Sequence, residues 1–282
     1  MKLATKFVAV LGAAALLSSS ALFAGDGKSF KEIKEVKEET KQWWNASLST
    51  GWDSLYMFRG VNTLPGFEGY GSSLYWTQLS VTFNLTDNDF LTIGNWLAFG
   101  MSESSYKEDD VIVNYTHTFG NLSVRLGYTF YYLINSATYG LYSHELSTGV
   151  AYKLELGPVT LTPAVNYYFN VGPNFGNRGF VEQCASYLEA RVDGSMPIYK
   201  DVVSIAPYVS FGTSFRYNFS THSDPPAPFV GTNNIQSGVS LPIAITKNIT
   251  VSPYVAYSYQ WYGLVGTTPS TFWGGGSVTF AF

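Results

Sequence analysis

The sequence predicts an all-β protein: a transmembrane antiparallel up-and-down β-barrel of about 12 strands, preceded by a signal peptide and a short charged segment with helical periodicity. Three observations carry this expectation. Apolar and polar residues alternate from Trp43 onward, short turns on one side oppose longer loops on the other, and the last strand ends at the C-terminal Phe282.

The chain opens with Lys2 and Lys6, an apolar stretch from Phe7 to Leu17, and the small residues Ser18 to Ala21 and Ala24. This order is that of a secretory leader, expected over 1–24 with cleavage after Ala21 or Ala24. The stretch is far shorter than the roughly 20 residues a spanning helix needs. Residues 25–42 follow as a charged periplasmic leader, in which Lys28, Lys31, Lys34, Lys37 and Lys41 interleave with Glu32, Glu35, Glu38 and Glu39. Phe30, Ile33 and Val36 form a narrow apolar stripe there, too little surface to dock firmly, so a solvated segment is expected rather than a plug. The barrel is expected over 43–282.

No later segment has an apolar run of helix-spanning length, so a membrane-embedded chain must close its backbone hydrogen bonds as a barrel. Charged residues make up 13% and aromatics 17%, a balance suited to strands and interfacial aromatic girdles. A soluble β-sandwich would instead need one apolar face per strand turned to an interior. The net charge of -4 argues against a nucleic-acid partner. Cys184 is the single cysteine, so no intrachain disulfide forms.

The clearest hairpin sets Leu122, Val124, Leu126, Tyr128, Phe130 and Tyr132 against Ser123, Arg125, Gly127, Thr129 and Tyr131, and continues through the alternation from His144 to Leu156. A hydroxyl flanked by aliphatics recurs after a turn signal at Leu91-Thr92-Ile93, Leu122-Ser123-Val124, Val159-Thr160-Leu161, Val203-Ser204-Ile205 and Ile249-Thr250-Val251. The turns before these triplets are short, such as Gly120-Asn121 and Gly157-Pro158. Longer polar connections near 62–69, 102–109, 134–142, 172–180, 218–232 and 263–270 alternate with them. Short turns at one end, long loops at the other and an even strand count bring both termini to the periplasmic side.

Pro163, Pro207 and Pro253 sit two residues past three of the triplets. Proline cannot donate to a ladder, so a ring of lipid-facing bulges is expected there. Outward aromatics collect as Phe119, Phe280 and Phe282 near the turns, and as Tyr132, Tyr167, Phe169, Phe215, Tyr217 and Trp261 toward the loops. In the last strand, Val278, Phe280 and Phe282 share one face, a pattern that resembles the signal read by the bacterial barrel-assembly machinery. Gly274, Gly275 and Gly276 lack the Lys-Ser/Thr of a phosphate loop and are read as close-packing positions.

The segment SLSTGWDSLYMFRGVN from Ser47 to Asn62, with Asp53, Tyr56, Phe58, Arg59 and Gly60 at its core, resembles the opening strand of the TorF-like porin family. The resemblance covers these residues and implies a small outer-membrane barrel classed as a porin. Phase alone puts Asp53 and Arg59 on the inward face of one strand, where opposite charges can pair.

Inward charges read from phase are Asp53, Glu145, Glu155, Glu189 and Asp193 against Arg59, Arg125, Lys153, Arg191 and Arg216, equal numbers of each sign. No selective ring of one sign is written there. Eight of these charges with Tyr168, Tyr208 and Tyr254 form the expected pore lining: Asp53, Arg59, Arg125, Lys153, Glu155, Tyr168, Glu189, Arg191, Tyr208, Arg216 and Tyr254. The expected function is passive diffusion of small hydrophilic solutes across the bacterial outer membrane, after export through the periplasm. The alternative is a structural or surface-interaction barrel with a shut lumen. An enzyme is not expected: His117 and His144 fall on the lipid phase, and His222 with Asp224 lacks an identified nucleophile. Neither a cofactor nor a metal site is expected. The partners expected are outer-membrane lipid, the barrel-assembly machinery and small hydrophilic solutes.

Overall fold

The computed structural model describes residues 42–62, 73–101, 106–134, 141–171, 184–200, 202–220, 227–261 and 270–282. The expected signal peptide and nearly all of the charged leader lie outside them, as do parts of the long loops.

Twelve strands form one closed antiparallel sheet. They are β1 (Trp44–Asp53), β2 (Leu74–Asn84), β3 (Asp89–Gly100), β4 (Lys107–Phe119), β5 (Leu122–Ile134), β6 (Leu141–Tyr152), β7 (Val159–Asn170), β8 (Ser186–Tyr199), β9 (Val203–Ser220), β10 (Ala227–Ser240), β11 (Ile249–Gln260) and β12 (Ser270–Ala281). Two short pieces, Leu154–Leu156 and Ile243–Ala244, prolong β6 and β10. Each strand pairs with its neighbour in sequence. β12 returns to β1 with Ala281 opposite Ser47 and Gly275 opposite Asp53. The Phe282 amide donates to the Ala46 carbonyl at 2.9 Å, so the last residue completes the seam and leaves the sheet without an edge.

The turns at one end are tight because their residues permit it. Gly120 and Gly157 have φ of 63° and 65°, and each opens a two-residue loop between paired strands. A positive φ at the first central position and a negative one at the second fits the hairpin twist, and Pro158 suits that second position.

The alternation read from sequence is the alternation of faces. On β5, Arg125, Thr129 and Tyr131 are buried inside, while Leu126 is 58% exposed. Phe119, Tyr132, Tyr167, Phe215, Trp261 and Phe282 are exposed on the outer surface at its two ends, flanking a belt that includes Leu79, Val111, Leu146, Val165 and Val255. Such a belt is matched to hydrocarbon, not water.

Two expectations need correction. The prolines are not bulges. The ladder is interrupted at Tyr152–Pro163, Gly194–Pro207 and Leu241–Pro253, the last still joined by the Leu241 amide to the Pro253 carbonyl at 3.0 Å, yet the pairs on either side keep one register. In each case the proline keeps its pairing with the following strand and interrupts only the preceding one. What is missing is an N–H donor; no residue is inserted. The bulges occur elsewhere, between Pro197 and Tyr199, Gly212 and Thr213, and Phe215 and Phe219.

The last of these overturns the assignment of Arg216 to the inside and Tyr217 to the outer girdle. Arg216 takes a left-handed φ of 67°, which breaks the period of two. Arg216 is exposed, and Tyr217 turns inward at 2% exposure.

Candidate functional site: a hairpin inside the barrel

The connection after β1 does not stay at the rim. Met57–Phe58 and Val61–Asn62 pair as a small two-stranded hairpin whose tip is Arg59-Gly60. Both tip residues have positive φ, 49° and 80°. Such a tight reversal suits Gly60 and strains Arg59, a cost of about 1–3 kcal/mol that surrounding contacts must hold in place.

Those contacts come from across the barrel. The Arg59 guanidinium forms a two-pronged ion pair with Glu145 of β6, with Nη2 at 2.6 Å from Oε1 and Nη1 bonded to Oε2. Nη1 also donates to the Tyr217 hydroxyl, which in turn donates to Glu145 at 2.7 Å, and Tyr131 donates to the other carboxylate oxygen at 3.1 Å. The guanidinium carbon lies 3.8 Å from the ring centre of Tyr168 and 4.7 Å from that of Tyr217. Arg59 is 8% and Glu145 1% exposed. A charge pair so buried holds only because the carboxylate is bonded on both oxygens and the cation is stacked on aromatic faces.

The backbone of the tip is held as firmly. Asn233 Nδ2 donates to the Arg59 carbonyl at 2.9 Å, and Gln260 Nε2 donates to the Gly60 carbonyl. The bulge at Gly212 and Thr213 makes Asn233 the extra residue of β10, so Asn233 and Asn234 are both buried. A bulge that re-aims a side chain is a common device. A Cβ on Gly60 would stand 2.4 Å from the Asn234 side chain.

The base of the hairpin docks on the opposite wall. Tyr56 packs on Trp96 of β3 at 5.6 Å between ring centres and donates to Glu108 of β4 at 3.1 Å, and Tyr106 donates to the same carboxylate oxygen. Burial pushes both phenols well above their ordinary range, and the neighbouring Glu108 charge pushes the same way, so both stay neutral donors. Leu74, Trp76, Trp96 and Ile112 join Tyr56, Tyr168, Tyr187 and Tyr217 in one cluster, while Met57 packs with Tyr208, Tyr254 and Trp273 in another.

Toward the turns the interior is different in kind. Thr82, Thr92, Asn114, Thr116, Ser147, Asn166 and Ser277 point in. Arg125 donates to Asn166 at 3.0 Å and Asn166 to Glu189 at 3.2 Å. Arg191 chelates Asp193 through Nε at 2.9 Å and lies 4.1 Å over the Tyr208 ring. Lys153 pairs with Glu155 at 2.9 Å, the lysine buried and the glutamate half exposed.

Of the expected lining, Arg125, Lys153, Glu189, Arg191, Tyr168, Tyr208 and Tyr254 are buried on the inner face, and Arg216 is not. Asp53 and Arg59 do not pair from one strand. Asp53 ends β1 and accepts from Tyr254 at 2.7 Å, whereas Arg59 lies beyond the strand and crosses to Glu145. The phase argument failed because β1 ends at Asp53 and the chain turns inward. Val278 and Phe280 are half-buried and Phe282 exposed near the seam. Of the two histidines on the outer face, His117 bonds Asp89 at 2.7 Å and His144 bonds Tyr128 at 2.7 Å.

Sequence reasoning missed Glu108, Trp76, Trp96, Asn233 and Gln260. Trp76 and Trp96 carried a signal: each occupies the polar phase of its strand, beside Gln78 and Gly94, where a large apolar ring announces an internal core.

No family model and no curated protein matches the sequence. Solved structures do resemble it. An outer-membrane channel from Pseudomonas putida F1 superposes with a TM-score of 0.55 at 12% identity, covering 91% of this chain and 100% of that one. The NanC porin gives 0.48 at 13% identity, with 83% and 98% covered, and the KdgM porin in complex with disordered oligogalacturonate gives 0.46 at 10% identity, with 84% and 99% covered. At the first of these scores the shared property is the fold, that of a bacterial outer-membrane β-barrel, in keeping with the apolar outer belt.

Proposed function

We propose that this barrel is a porin-like channel of the TorF-like kind that passes small hydrophilic solutes by passive diffusion, narrowed by the inward hairpin. The observation that carries the reading is the chemistry of the inner face. Toward the turns it is lined by polar and charged side chains, and the hairpin sets the charged, hydrogen-bonded Arg59–Glu145 pair inside the barrel above them, an arrangement suited to hydrated solutes. Arg125, Lys153, Glu155, Glu189 and Arg191 would line the path below that pair, with neither sign dominant. The likeness to a channel of the same fold supports the reading at the level of architecture.

Purified protein added to planar bilayers should give discrete conductance steps. Insertion without steps would overturn the channel. It would favour a second reading, a structural or surface-interaction barrel with a shut lumen, for which the depth of burial of the hairpin speaks.

We further propose that residues 1–24 are removed as a signal peptide, that 25–42 form a periplasmic leader, and that Val278, Phe280 and Phe282 present the assembly signal. No hydrolase is proposed.

A further inference from the structure

Glu145 and the rings around it form a built recognition site, and its present occupant is a side chain of the same molecule. A carboxylate presents both oxygens in one plane, a tyrosine ring lies 3.8 Å from the bound carbon, and two phenols brace the acid from outside. This is the full set of contacts that recognises a planar guanidinium: two parallel N–H donors matched to two oxygens, with an aromatic face beneath. The occupant arrives on a hairpin whose tip is strained at Arg59, so it is held by contacts and not by relaxed backbone geometry.

We infer that the Glu145 cage is a solute-binding site for guanidinium-bearing cations, and that Arg59 occupies it as an internal surrogate which such a solute displaces. The inference rests on the channel reading and gives its substrate class. The fork matters: a lysine ammonium carries one charge centre and cannot match both oxygens in plane. Two other inward charge pairs close within the wall itself, Arg191 with Asp193 and Lys153 with Glu155. Glu145 is bound instead to Arg59, which stands outside the barrel strands, whereas its other named partners, Tyr131 and Tyr217, belong to strands of the wall.

The test is binding of L-arginine against L-citrulline, which has the same shape with a neutral ureido group. Full-length Arg59→Ala is titrated in detergent by calorimetry, with gel migration before and after heating as the folding control. Arg59→Gln, which keeps a neutral polar tip on a shorter side chain, is run in parallel should the alanine variant not fold. The expected result is arginine binding at least tenfold tighter than citrulline and at least tenfold tighter than to native protein, with both gains lost in Arg59→Ala/Glu145→Gln. Equal affinity for the two ligands, or no binding by the folded variant, overturns the site. Flux in liposomes separates this from the channel reading. Binding without flux sinks the channel and leaves the cage, whereas flux without arginine preference sinks the cage and leaves the channel.

Discussion

Tyr254 reaches Asp53 across an intervening strand: its hydroxyl donates to the Asp53 carboxylate at 2.7 Å although β12 lies between them. The crossing passes over Gly275, which faces Tyr254 on one side and Asp53 on the other. A Cβ at Gly275 would stand 2.2 Å from the Trp52 carbonyl oxygen and 2.8 Å from the Tyr254 ring.

Gly275→Ala should therefore cost about 1–3 kcal/mol, the usual penalty for overpacking. Gly276→Ala is the control, since its Cβ would come no closer than 3.6 Å to any neighbour and should change stability by less than about 0.5 kcal/mol. Urea unfolding followed by tryptophan emission compares them; equal losses would mean that Gly275 is not chosen for this crossing.

Glu145→Gln leaves the Arg59 charge without its partner, a change worth about 3–5 kcal/mol when the group stays buried. The hairpin can release that cost by leaving its seat. Trypsin should then cleave after Arg59, a bond protected in the native barrel, and conductance should rise. A cleavage rate unchanged from native protein would contradict this.

Tyr217→Phe removes the hydroxyl that bonds both Arg59 and Glu145, about 1.5–3 kcal/mol of seating free energy for a bond to charged groups. Mean conductance should increase. Arg216→Ala, one residue earlier but exposed on the outside, should leave conductance unchanged. The opposite ranking would restore the uninterrupted alternation along β9.

Pro163→Val supplies the donor absent from the Tyr152–Pro163 pair without altering register. Stability should rise by about 0.5–1.5 kcal/mol, the net worth of one hydrogen bond. A loss of that size would show that the interruption is required.

The barrel was legible because its signals are local and redundant. Period-two alternation, tight turns such as Gly120-Asn121 and the final Phe282 each point to the same wall. The interior was legible only in part. Arg125, Glu189 and Arg191 stand in stretches of strand that no register shift interrupts, so their phase was sufficient. Arg59, Tyr217 and Asn233 depend on a strand end, a left-handed residue and a bulge, each of which resets the phase by a backbone choice that hydrophobic pattern does not encode. The prolines misled for the reverse reason: an absent donor looks in sequence like an irregular backbone, yet the ladder tolerates it.

The place of the hairpin in the chain has a consequence for biogenesis. Arg59 and Gly60 follow the first strand, but their hydrogen-bond partners across the barrel come much later, Glu145 in β6, Tyr217 in β9, Asn233 in β10 and Gln260 in β11. A wall finished only as far as β6 offers the arginine its counter-charge but not the Tyr217 hydroxyl, and it offers the tip carbonyls neither Asn233 nor Gln260. The full set of contacts thus requires nearly the whole circumference, which ties the seating of a hairpin that follows the first strand to strands as late as β11.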